Sequence, residues 1–214
     1  GGRGAGRPWG AGRPRGRGRP LTGENRGRYG PSRYLTTWNA AGKGWSGLHP
    51  VEQVSWEMCT KILDRLGLAL PTEAQWEYGA RAGTGSVRWC GDEKESVRGA
   101  ANLSDAYAKS HGNESWSVWD SWLDDGQSVH AEVGSYRANA FGLHDAYGNV
   151  WEWCDDAEKP GDRDSNRGLR GGAWLNNTRS CRALHSHSGS PSSPASYIGL
   201  RLARVPVGKE IAGP

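Results

Sequence analysis

Residues 141–153 read Phe141-Gly142-Leu143-His144-Asp145-Ala146-Tyr147-Gly148-Asn149-Val150-Trp151-Glu152-Trp153. Phe141 and Leu143 give the stretch an apolar entry, and Gly148-Asn149 is a turn signal. Beyond the turn, two tryptophans flank Glu152. An indole buries a large area and still needs a partner for its N–H, so two at i and i+2 mark a specified position. In an extended chain successive side chains alternate, so Glu152 faces away from both indoles, towards Asn149 and the oxygens around it. The stretch reads as the middle of an oxygen-lined structural site, and the segment after it as one that faces a ligand.

Upstream, two helices are predicted. Ser55 caps a helix whose Met58, Ile62, Leu63 and Leu66 share a face, and Gly67 closes it. After Leu70-Pro71, Thr72 and Gln75 form a T-x-x-Q capping box, with Glu73 at the positive end of the helix dipole. This second helix carries Trp76 and Tyr78 and should stop near Gly83. Short strands are expected at 133–136, 169–174 and 198–203, the last alternating apolar and polar residues. Residues 21–50 read as loop. The loops between the later strands are long for a compact domain, which usually means they serve function or are held by an ion.

Composition narrows the class. No apolar run approaches the ~20 residues that span a bilayer, mean hydropathy is −0.77, and no export-type apolar stretch stands near the start. The net charge of +4 arises at one end: residues 1–20 hold six arginines and no acid, so the rest is slightly acidic. Nucleic acid is therefore a partner only for that Gly/Arg/Pro-rich tail, which is too polar to bury a core and is expected to be disordered. Its Pro14-Arg15-Gly16-Arg17 approaches the core of an AT-hook, a minor-groove arm, but Gly18 stands where the second proline belongs. Twelve tryptophans against one phenylalanine suit a loop-rich core in which indole N–H groups cap stray carbonyls. Cys59, Cys90, Cys154 and Cys181 are widely spaced without a C-x-x-C, so they read as buried thiols ahead of one or two disulfides, and not as a zinc knuckle.

Four segments in order resemble the formylglycine-generating enzyme, or sulfatase-modifying factor, family. They are His49-Pro50-Val51 to Ser55-Trp56, Leu70 to Tyr78, Gly142-Leu143 to Trp153, and Arg170-Gly171-Gly172-Ala173-Trp174 to Ile198-Gly199-Leu200-Arg201. The resemblance implies an α+β, C-type-lectin-like fold: two helices against a small twisted antiparallel sheet, rich in loops. The domain would cover 21–206, between the 1–20 tail and a C-terminal tail at 207–214. The family's N-terminal G-x-F-x-M-G strand segment is expected to be missing.

By the same resemblance, structural calcium is expected. Asn149 and Glu152 would bind one ion, and Asn102 and Asp125 a second, with the Leu103 and Gln127 carbonyls; hard oxygen donors suit calcium. Read from the residues alone, Asn149 is a turn residue and Glu152 pairs with an arginine. Copper is not expected. The copper-dependent members carry two cysteines five apart, and here Cys181 matches the second while Asn176 stands for the first; Ala173 replaces the active-site serine. Cu(I) is a soft ion that prefers sulfur, and an amide oxygen is a poor ligand for it. Cys181 is thus a catalytic candidate only if the protein is an oxidase. The related sulfoxide synthases take iron from histidines in a preceding domain, and His185 with His187 finds no nearby carboxylate to complete such a triad. Resemblance also brings Cys154 and Cys181 close, as a candidate bridge. What remains is a display surface over 176–197, with Trp174, Asn176, Asn177, Thr178, His185, His187 and Tyr197 facing an unknown protein or small-molecule ligand. The alternatives are a formylglycine-generating oxidase and a variable ligand-binding protein of a diversity-generating retroelement.

Overall fold

The computed structural model describes residues 46–111, 117–162 and 164–204. The 1–20 tail with its AT-hook-like run, most of the 21–50 loop and the 207–214 tail lie outside the described residues. Helix α1 (Trp56–Leu66) begins at Ser55, whose hydroxyl accepts the Met58 N–H, and ends at Gly67 in the left-handed region. Its buried face centres on Cys59 and Leu63, while Leu66 is half exposed. The stripe is therefore turned by one position from the expected one, because Trp56 packs on the core and draws Cys59 inward. Helix α2 (Glu73–Arg81) carries the full capping box, with Thr72 and Gln75 bonding each other's backbone N–H. It stops at Ala82, one residue before Gly83. A short α3 (Ala106–His111) follows.

Four strands form one sheet in the order β3-β2-β1-β4: β1 (Trp151–Ala157), β2 (Arg167–Arg170), β3 (Ser186–Gly189) and β4 (Ile198–Leu200). The β1/β2 and β2/β3 pairs are antiparallel, but β4 lies parallel to β1, with Trp151 opposite Ile198 and Trp153 opposite Leu200. The sheet is mixed because the chain after β3 crosses back to the far side of β1 instead of making a hairpin. All three strand expectations change, that for 198–203 by ending at Leu200. Residues 133–136 form a turn rather than a strand, and β2 ends at Arg170, so that Gly171 to Trp174 leave the sheet. The segment expected to be all loop contributes β3.

Strand β1 divides the core by its alternation. Trp151 and Trp153 join Leu63, Leu169 and Trp174 on one face, whereas Cys154 joins Trp76, Tyr147 and Cys181 on the other. The indoles serve as expected: Trp153 Nε1 donates to the Val54 carbonyl at 3.0 Å and Trp56 Nε1 to the Cys154 carbonyl at 3.0 Å. All four cysteines are free, and the candidate Cys154–Cys181 bridge is not formed.

Candidate functional site

Glu152 lies opposite Arg170 in the sheet and is buried. Its Oε2 accepts from Trp76 Nε1 at 2.6 Å and from Arg201 Nε at 2.8 Å, and its Oε1 from Arg201 Nη2 at 2.7 Å. The same guanidinium donates to the His144 and Asp145 carbonyls. This is a fork-on-fork pair, and it ties β1, the β4 exit and α2 together. Asn149 adopts φ +64°. Its Oδ1 accepts from Ala131 N at 2.8 Å and from Asn102 Nδ2 at 3.2 Å, and its Nδ2 donates to the Ala131 carbonyl. The donors expected for a first calcium ion are therefore already engaged, and a cation on Glu152 would face a guanidinium. That set does not fit calcium; the turn residue and the arginine pair are what the geometry favours.

The second set differs. Asn102 is 1% exposed, its amide nitrogen donates to Val129 O and Asn149 Oδ1, and its buried Oδ1 has no hydrogen-bond partner among the described residues. Asp125 accepts from the Leu103 N–H at 2.7 Å and the Gln127 N–H at 2.9 Å. Beside it Asp105 is fully buried, with its Oδ2 on the Asp125 N–H. Burial, with Asp124 nearby, pushes Asp105 up to about 6, and burial together with Asp105 raises Asp125 well above the usual carboxylate range. The orphaned Asn102 amide oxygen and the desolvated Asp125 carboxyl are hard oxygen donors of the kind calcium accepts, although both Asp125 oxygens already accept backbone N–H groups. Asn102 and Asn149, expected to serve separate ions, are hydrogen-bonded neighbours.

At the position of the soft-metal pair, Asn176 Oδ1 accepts the Ala173 N–H at 3.0 Å, and its own N–H returns to the Ala173 carbonyl at 2.8 Å. The amide closes a turn. Cys181 is fully buried, and burial pushes its thiol up to about 12. Neither side chain is a thiolate at neutral pH.

The expected ligand surface is only partly a surface. Trp174 and Thr178 are buried, correcting their assignment: Trp174 packs with Trp151 and Trp153, and Thr178 is the one buried residue of a short 3-10 turn. Asn176, Asn177, His185 and Tyr197 are half-buried, and His187 is exposed. His185 and His187 both lie 5.8 Å from the Trp151 ring, which brings the two together at one edge. Burial holds His185 below the ordinary histidine range, and the charges of His187, Arg182 and Arg170 add to it.

Sequence reasoning offered an arginine for Glu152 without naming it, and missed the role of Arg170. Arg201 is the partner of Glu152. Arg170 is 4% exposed and joins Glu77 at 2.7 Å, Glu73 at 3.3 Å and the Ala183 carbonyl at 2.6 Å, linking β2 to α2. The only signal for either was the presence of acids on the facing elements.

Against known proteins, residues 37–206 match the family described as the sulfatase-modifying factor enzyme 1-like domain. The formylglycine-generating enzyme of Streptomyces coelicolor is 32% identical over 177 residues, 72% of this chain and 52% of that protein. The serine/threonine-protein kinase pkn1 of Chlamydia pneumoniae is 30% identical over 175 residues, 73% of this chain and 24% of the kinase. The chain thus spans about half the length of the first relative and about a quarter of the second. Among solved structures, Treponema denticola variable protein 1 superposes with a TM-score of 0.62, covering 84% of this chain and 77% of that one at 23% identity. That likeness is one of fold, the C-type-lectin-like α+β architecture.

Proposed function

Because the chain belongs to the sulfatase-modifying factor family, we propose that it is a binding module of that family, presenting part of the 176–197 segment to a protein or small-molecule ligand rather than oxidising a cysteine. One observation carries this reading: where a soft metal needs two thiolates, an amide closes a turn, and the remaining thiol is fully buried, which raises its pKa. The ligand face on this reading is Asn176, Asn177, His185, His187 and Tyr197. A structural calcium ion would be held by Asn102 and Asp125, and it would supply only a hard charge that ties their loops together.

The test is a Cu(I) competition titration against a chromophoric chelator, run beside an aldehyde assay on a cysteine-containing sulfatase peptide. No competitive binding and no aldehyde are expected from this chain, and Asn176→Cys should raise Cu(I) affinity at least tenfold. Tight Cu(I) binding with aldehyde from the unaltered chain overturns the proposal. A second reading is that this surface varies among sibling copies; the Treponema denticola protein that shares the fold is named a variable protein. Sequencing sibling copies decides it. Differences confined to exposed positions of 176–197 support it, and evenly spread differences remove it.

A further inference from the structure

The 81–94 segment and residues 182–185 line an open cleft of about 720 Å³, and the two are joined by the Ala183 N–H on the Val87 carbonyl at 2.9 Å. Four lining residues are cations, Arg81, Arg88, Lys94 and Arg182, against one acid, Asp92. Their charges are not answered equally. Arg81 pairs with Glu77 at 2.8 Å and Lys94 has Glu95 at 3.7 Å. Arg88 is 4% exposed, yet its guanidinium meets only neutral oxygens: the Asp92 carbonyl at 3.2 Å and the Thr178 carbonyl at 3.0 Å. Its buried Nε has no hydrogen-bond partner among the described residues. Among those residues, no carboxylate lies within ion-pair distance of Arg88 or Arg182. A guanidinium withdrawn from water without a counter-charge is costly, and an anion beside it removes that cost. The cleft also shows apolar area, with Val87 41% and Leu184 75% exposed. Its volume is that of a site for a whole organic molecule, well above what a bare oxyanion fills.

We propose that this cleft binds a small phosphate or sulfate ester, its oxyanion answering Arg88 and Arg182 and its organic body lying on Val87 and Leu184. The inference rests on the reading of 176–197 as a ligand-presenting segment, since Arg182 and Leu184 lie in that segment and His185 belongs both to its ligand face and to the cleft. It names the ligand class: a tetrahedral oxyanion carrying an apolar or ring-shaped group.

Calorimetric titration of the full chain in low-salt acetate buffer tests it, with phenyl phosphate, phenyl sulfate, inorganic phosphate and phenol as probes. One saturable site is expected for at least one ester, at least tenfold tighter than for inorganic phosphate, with no binding of phenol. A preference for one ester names the source within the class. Arg182→Ala, at an exposed position, should leave the melting temperature of the free chain unchanged, weaken the ester at least tenfold and abolish the melting-temperature rise that the ester gives by mass action. The arginine-rich tail is common to both chains, so the difference between them reads the cleft alone. Absence of saturable ester binding, or equal affinity in the variant, overturns the inference. The copper and aldehyde assays do not involve this cleft, so failure here leaves the binding-module reading to stand or fall on them.

Discussion

His130 is 1% exposed, and its Nδ1 lies 3.0 Å from Nδ1 of His49. Burial, with His49 beside it, holds its pKa down at about 3 against an ordinary 6.5. The unfolded chain takes up this proton near pH 6.5 and the folded chain does not. The stability His130 contributes is therefore fully present above about pH 6.5 and is lost as pH falls towards 3. The buried Asp105, Asp125 and Asp145, raised above their ordinary range, act in the opposite direction. The informative quantity is thus the difference between the wild type and His130→Gln in urea unfolding. Between pH 7 and pH 5 the wild type should lose about 2 kcal/mol more than the variant; parallel profiles would show that the ring is not held neutral. At this scale the sequence was legible where identity alone decides chemistry. Asn176 cannot be a thiolate in any fold. It was not legible for Glu152, whose residue type suits calcium or an arginine equally until Arg201 arrives from β4.

Elements follow their local signals closely at the ends and loosely along the faces. The Ser55 cap, the Gly67 stop and the Thr72–Gln75 box are formed by residues within a turn of each other, so no tertiary contact is needed to set them. The face α1 buries is another matter, because Trp56 and Cys59 respond to the sheet beneath. Turn glycines give a graded test. Gly148 has φ +74°, and a Cβ there would lie 2.2 Å from the Asn102 carbonyl oxygen, a backbone atom in a parallel bridge. Gly67 has φ +65° with nothing within 4 Å. Gly67→Ala should cost about 1 kcal/mol, the left-handed penalty alone. Gly148→Ala should cost at least about 3 kcal/mol, because two loops must separate as well. Equal costs in urea melts would mean that the close approach at Gly148 is absorbed without strain.

For the whole molecule, hydrogen bonds join the loops around Asn102, Asp125 and Asn149, and the proposed calcium ion belongs at this scale. A chelator should lower the melting temperature by several degrees, and excess calcium should restore it by mass action. Asp125→Asn should remove the response, and a melting temperature indifferent to the chelator would dismiss the ion. The two capped helices and the strand at Ile198 were readable because each rests on capping or periodicity within a short window, whereas the class of the fold came from the resemblance carried by four ordered segments. The sequence by itself determined those elements, and it determined that no two-thiolate site stands at 176 and 181, because side-chain type and near-neighbour geometry suffice for both. Only the tertiary structure decided that β4 runs parallel beside β1, that Ser186–Gly189 is a strand, that Trp174 and Thr178 turn inward, and that Arg88 is buried without a counter-charge. Each of these depends on partners many residues away, brought together by a core that local signals do not encode.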